Sequence, residues 1–311
     1  MKALCSLLRR GKADPFKNFK LLILTNCKPS TMTAINAFSI DLEHWWYNEF
    51  LKEYLPEEKE DQISDSVKPL LNLLDKHNTR ATFFISGEVA EDYPEIVETV
   101  YQQGHEVASH AYSHKMLREL GKDKFEAEIK KSVKLLYNIV KEKPRGFRAP
   151  SFSINNDTWW AFEILEKYGF VYDSSIFPIS KMFYYGVPDA PLGFYRPSRE
   201  NIALHDSDGN IVEVPLTVLD VMGVHIPIAG GFYLRLLPLW FIKWGIKTVN
   251  KTRPAVVYVH PWELNPKTPR LQAPFMSKFE AYHGIRSAFK KVAILLREFK
   301  FKPIDDLLYE I

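Results

Sequence analysis

The sequence predicts an α/β protein built on a mostly parallel sheet with crossover helices, either open or closed into a barrel. Two observations predict it. Short apolar strands alternate with amphipathic helices along most of the chain, and charged or titratable residues gather where those strands end.

The elements follow in order. Residues 34–40 are a β-rich run that stops at Asp41, Glu43 and His44. Residues 62–77 place Ile63, Val67, Leu70, Leu71 and Leu74 at helical spacing. Ala81-Thr82-Phe83-Phe84-Ile85 reads as a strand, and 94–103 as a helix with Pro94 in its first turn and Gly104 as its stop. The strand Glu106-Val107-Ala108-Ser109 ends on His110. Residues 122–141 form a long amphipathic helix, with Phe125, Ile129, Val133, Leu136 and Val140 on one face and a solvated charge run on the other. A short strand, Gly146-Phe147-Arg148, precedes a helix over 157–168 stopped by Gly169 and a strand near Val171-Tyr172 that ends at Asp173. The Pro- and aromatic-rich stretch 177–199 reads as a long ordered loop, and 206–210 as a hairpin turn before a strand over 211–214. A helix over 236–249 leads to the strand Ala255-Val256-Val257-Tyr258-Val259, which ends on His260, and a final amphipathic helix covers 279–299.

With 311 residues, 46% of them hydrophobic and 25% charged, the chain can bury a substantial core. Residues 1–30 carry seven basic residues against Asp14 alone, leaving 34 basic and 37 acidic in the remainder. We read residues 1–31 as a basic leader, disordered or non-native, without the apolar core of a signal peptide, and 32–311 as a single domain. The expected location is cytoplasmic or peripheral to the membrane, since no apolar run reaches the ~18 residues of a membrane span. No basic stripe is interleaved with aromatics, so no nucleic-acid partner is expected. Cys5 and Cys27, the only cysteines, both lie in the leader. That argues against a disulfide framework and against a cysteine-ligated metal in the main domain.

Asp41, Glu43, His110, Arg148, Asp173 and His260 each sit at or just past the carboxyl end of a strand, the face that carries chemistry in parallel α/β folds. His110 and His114, four residues apart, can aim at one point. With a carboxylate from a neighbouring strand end they make a two-His, one-carboxylate set, which suits zinc with an open position for water and equally suits non-haem iron. Arg148 beside a carboxylate would hold it ionised. Asp173 beside His260 would orient the ring and raise its pKa.

These residues resemble five ordered motifs of the polysaccharide deacetylases that share the NodB homology domain, over roughly 34–269. Ser39-Ile40-Asp41-Leu42-Glu43 is similar to the first motif, and 109–114 to the metal-binding His-x-x-x-His. Phe147-Arg148-Ala149-Pro150-Ser151 resembles the Arg-x-Pro motif, Tyr172-Asp173-Ser174-Ser175 the fourth and Val257-Tyr258-Val259-His260 the last. Glu43-His44, His260-Pro261-Trp262-Glu263 and the run 230–238 are similar to the branch associated with exosortase and exopolysaccharide gene clusters. The resemblance implies a distorted (β/α) barrel of about seven strands, a single catalytic domain with a C-terminal extension, and a divalent metal, Zn²⁺ being the expected ion.

It also implies roles. Asp41 would be the catalytic base, His260 the general acid, Arg148 and Asp173 their supports, and Glu43, His110 and His114 the metal ligands. The Ser151 N–H would serve the oxyanion, while Trp45, Trp46 and Trp262 would offer platforms for sugar rings. The sequence departs from the family pattern at Glu43, where aspartate is usual, with His44 as a conceivable substitute ligand, and at Ser151, where many members carry an aromatic residue. The implied activity is metal-dependent hydrolysis of N-acetyl groups on a polysaccharide. Two other readings are a cyclic imide or ureide amidohydrolase of the same fold and a catalytically inactive carbohydrate-binding relative.

Overall fold

In the computed structural model, residues 34–180 and 185–309 are described; the leader expected over 1–31 lies outside them. The fold is organised around β1 (Ile35–Leu42), buried from its second residue to its last. After it come α1 (Ile63–Lys76), β2 (Thr82–Ile85), α2 (Gly87–Asp92), α3 (Pro94–Gln102), β3 (Glu106–Ser109), α4 (Leu117–Val140) and β4 (Gly146–Phe147). Then follow α5 (Trp160–Lys167), β5 (Tyr172–Asp173), β6 (Val212–Glu213), β7 (Val218–Val221) and β8 (Val224–Pro227). The chain continues through α6 (Gly231–Leu236), α7 (Leu239–Val249), β9 (Val256–Val259), α8 (Pro261–Leu264), α9 (Phe275–Tyr282), α10 (Ile285–Glu298), β10 (Lys300–Lys302) and α11 (Ile304–Leu308).

The main sheet has eight strands in the order β10-β1-β2-β3-β4-β5-β6, with β9 also on β1, and every pairing in it is parallel. β10 takes the first half of β1, Ile35 opposite Lys300, whereas β9 runs from Ala37 opposite Val256 to Ile40 opposite Val259. Seven strands, β9 through β6, therefore bring their carboxyl ends to one rim, and β10 lies toward the other end. Among the described residues no ladder joins β6 to β9. The gap is bridged instead by the Val256 N–H donating to Thr217 Oγ1 at 2.6 Å and the Tyr258 N–H donating to the Ala229 carbonyl at 3.0 Å. This incomplete closure is the distortion of the barrel. Apolar faces of α1, α3, α7 and α10 pack on β1, β2 and β9 in the largest core cluster, so these strands are covered on their outer side.

Three departures from the sequence reading have a visible local cause. The helix expected from 122 is preceded by a turn from Leu117, because Gly121 (φ 71°, ψ 171°) breaks the helical path there. The helix expected over 279–299 is two helices: α9 ends where the Arg235 guanidinium takes the carbonyls of Glu280 and His283, and α10 starts after Gly284 (φ 75°). A Cβ at Gly284 would lie 2.5 Å from the Arg235 carbonyl oxygen, so the junction requires glycine. The antiparallel β7–β8 hairpin was not anticipated. Its turn residues, Met222 and Gly223, both have positive φ, but Met-Gly is not one of the dipeptides that announce such a turn. Among the described residues no helix is long and apolar enough to cross a membrane.

Candidate active site

Glu43, just past β1, and His110 and His114, just past β3, meet at one point: Glu43 Oε2 lies 3.4 Å from His110 Nε2 and 2.6 Å from His114 Nε2. All three side chains are buried. His110 Nδ1 lies 2.7 Å from the Arg148 carbonyl, which accepts only from a protonated nitrogen, so in the neutral ring Nε2, the nitrogen facing Glu43, is the one that carries the lone pair. Glu43 Oε2 makes no hydrogen bond of ordinary geometry. Three buried side chains thus bring one ligand atom each to a single point, a set that fits a cation when the two imidazoles are neutral. Burial alone would raise the Glu43 pKa, but the charges of His114 and His260 outweigh it and hold the carboxyl well below its ordinary range. The extra methylene of Glu43 does not stop it reaching the histidines. Its second oxygen is fixed by the Trp262 indole N–H at 3.2 Å.

The histidine loop is itself clamped. Ala111 (φ 57°) and His114 (φ 52°) both hold left-handed backbone, a costly conformation for non-glycine residues. Glu128 on α4 accepts from the backbone N–H groups of Tyr112 (3.3 Å) and Ser113 (3.2 Å) and from the Ser113 hydroxyl. Tyr47 stacks on the His114 ring with centroids 4.6 Å apart.

Arg148 is fully buried and every arm of its guanidinium is used. Nη1 donates to Asp41 Oδ1 (2.6 Å) and Ser39 Oγ (2.9 Å), Nε to the Ser174 carbonyl (2.8 Å) and Nη2 to Ser174 Oγ (2.8 Å), with Phe84 beneath its plane. Arg148 therefore stands beside a carboxylate as expected, and that carboxylate is Asp41. The other oxygen, Asp41 Oδ2, lies 3.7 Å from His260 Nε2.

The carboxylate on the far side of His260 is not the expected one. Glu263 Oε2 is 2.7 Å from His260 Nδ1. Asp173 instead accepts from the Ser175 hydroxyl at 2.6 Å and pairs with Glu213 from the neighbouring β6. Burial raises both of those carboxyls, Glu213 well above its ordinary value because the Asp173 charge adds to it. Asp173 thus faces the adjacent strand rather than His260. Burial would lower the His260 pKa, but the charges of Glu43, Glu263 and Asp41 raise it to about 9.

Ser151 lies in a 3-10 turn, Pro150–Phe152, with left-handed backbone (φ 53°). Of the expected aromatic platforms, Trp45 and Trp262 are buried, their indole N–H groups bound to the Glu60 carbonyl and to Glu43, so neither offers a ring face to solvent. Trp46 is half-buried and stacks on His44 at 4.0 Å. His44 faces Asp61 (Nδ1 to Oδ1, 3.2 Å) and stands outside the Glu43, His110 and His114 cluster. Sequence reasoning assigned no role to Glu128, Glu213, Arg235 or Glu263. Glu263 alone left a local signal, an acid three residues after His260 in a turn opened by proline.

The fold and this site define a class that comparison with known proteins makes specific. The polysaccharide deacetylase family model matches residues 59–172, and a domain of unknown function, DUF3473, matches residues 174–309. Residues 59–172 belong to the polysaccharide deacetylase family. The chain is 36% identical over 95 residues to the peptidoglycan-N-acetylglucosamine deacetylase of Bacillus cereus, which covers 30% of this chain and 34% of that one. It is 32% identical over 139 residues to the peptidoglycan deacetylase of Helicobacter pylori, covering 41% of this chain and 45% of that one. The chain thus spans less than half the length of these curated relatives. A solved structure of a candidate polysaccharide deacetylase from Mycobacterium smegmatis superposes with a TM-score of 0.58 over 92% of both chains at 19% identity, a likeness of fold.

Proposed function

We propose that the chain is a metal-dependent hydrolase that removes N-acetyl groups from amino sugars of a cell-surface or exopolysaccharide glycan, acting in the cytoplasm or at the membrane periphery. The observation that carries this reading is the convergence of Glu43, His110 and His114 beside the Asp41–Arg148 pair and His260. A bound divalent metal, Zn²⁺ being the expected ion, would polarise the acetyl carbonyl and acidify the attacking water.

This chain's residues supply the rest. Arg148 occupies one oxygen of Asp41 and leaves Oδ2 to take the proton of the water. His260, positively charged and 3.7 Å from both Asp41 and Glu43, gives its Nε2 proton to the departing sugar nitrogen. The Ser151 backbone N–H donates to the developing oxyanion. Half-exposed Trp46 is the remaining candidate for a sugar-stacking surface.

The test is acetate release from chitin oligosaccharides, peptidoglycan fragments and an acetylated exopolysaccharide. Turnover should vanish on chelation and in His110→Ala. Undiminished turnover by Asp41→Asn would remove Asp41 as the base, and hydrolysis of small cyclic imides without any glycan would replace the substrate class.

A further inference from the structure

His260 closes β9, and its ring is held from behind by a chain of buried groups that all come from the segment after residue 230. Glu263, in the first turn of α8, accepts from His260 Nδ1 at 2.7 Å and also faces the His260 backbone N–H at 3.3 Å. Its other oxygen accepts from Arg235 Nε at 2.8 Å. Arg235 and Glu263 are buried. The two remaining arms of Arg235 reach the His283 carbonyl (2.6 Å) and the Glu280 carbonyl (2.7 Å), the free carbonyls at the end of α9. Lys291 in turn donates to the carbonyls of Leu234, Arg235 and Leu237, fixing the end of α6 that carries Arg235.

A buried ion pair of this kind contributes little net stability compared with well-packed apolar residues, so its position calls for another account. The pair stands directly behind the one ring whose orientation decides which nitrogen faces the cleft. With Nδ1 bound to Glu263, Nε2 is the nitrogen left 3.7 Å from Asp41 and Glu43. Asp173, the strand-end acid expected there, is engaged with Ser175 and Glu213.

We propose that Glu263, fixed by Arg235, is the positioning carboxylate of His260: it binds the Nδ1 proton and holds Nε2 toward the cleft, so that residues 230–291 orient the acid. This rests on the deacetylase reading for its catalytic consequence, though not for its geometry. It gives the matched domain of unknown function a task in the site.

Nitrogen-15 NMR of the histidine rings, with His260 assigned from His260→Gln, tests the geometry without any substrate. The expected result is a slowly exchanging proton on Nδ1 that shifts in Glu263→Gln and is kept in Glu263→Asp. Nδ1 found unprotonated in the unaltered chain would overturn the proposal. In acetate release, Glu263→Gln should lower kcat at least about tenfold, with KM changed less than about twofold, and Glu263→Asp should restore most of it. A folded Glu263→Gln with full kcat would also overturn it. If Glu263→Gln does not fold, Arg235→Lys, which cannot reproduce the three-way contact, should show the same kcat loss to a smaller degree. If the unaltered chain releases no acetate from any glycan, the deacetylase reading fails while the NMR result still decides the role of Glu263.

Discussion

Trp262 ties Glu43 to the turn that follows His260: its indole N–H donates to Glu43 Oε1 at 3.2 Å while its ring stacks near the His260 imidazole, centroids 5.5 Å apart. One side chain therefore sets both an expected metal ligand and the proposed acid. In Trp262→Phe the ring is kept and the donor is lost. Metal affinity measured by calorimetry should fall about 10–100-fold, the usual cost of removing a group that orients a ligand. Unchanged affinity would mean that Glu43 is held by its histidine partners alone.

The Asp41–Arg148 pair makes the second prediction. Arg148→Met leaves Asp41 with His260, 3.7 Å away, as its remaining cationic neighbour; breaking comparable buried pairs costs about 3–5 kcal/mol. Urea denaturation at neutral pH should show that loss as a lower midpoint. Arg148→Lys should recover only part of it, because an ammonium cannot reach Asp41, Ser39 and both Ser174 oxygens from one plane.

Glu128 is predicted to govern the metal site from a distance. It touches no ligand atom but holds the amides of Tyr112 and Ser113 between two left-handed residues. Glu128→Ala should therefore weaken metal binding in calorimetry while α4, on which the residue is half-buried, keeps its helicity by circular dichroism.

Acid should destabilise the fold through a residue remote from chemistry. His105 is buried and accepts the Ala81 N–H at Nδ1 (3.2 Å), which requires the neutral ring. Burial, reinforced by the nearby Arg80 charge, lowers its pKa to about 4 from an ordinary 6.5. Between those values the unfolded chain binds a proton that the folded chain does not. The His105 contribution to stability should thus be constant above about pH 6.5, fall as the pH drops toward 4 and level off below, a loss of about 3 kcal/mol from this group. The difference in denaturation midpoint between the unaltered chain and His105→Gln, followed from pH 7.5 to 4, isolates that contribution and should change with this sign.

The sequence announces most of the strands and the rim they share, because apolar runs ending in charged residues are local signals. Asp41, Glu43, His110, His114, Arg148 and His260 could be singled out for the same reason, and the structure brings them together. Partnerships were less visible. That Asp173 faces Glu213 rather than His260 depends on which strand lies next to β5, and the 38 residues between β5 and β6 carry no sign of it. Arg235 looks like an interruption in an apolar run until α9 ends against it, a contact that forms only because Gly284 turns the chain there.

The pairing of β9 with the middle of β1 bears on how such a protein can change over generations. Residues 59–172 and 174–309 match two separate families, yet the proposed base and ligands precede the boundary while the proposed acid and its support follow it. Neither part holds a whole site, and removing the second strips β1 of a neighbour along its centre. Recombination that exchanged one part for a foreign counterpart would have to preserve the β1–β9 seam and the Trp262–Glu43 contact together. The two segments should therefore be inherited as a pair, however independent their sequences look.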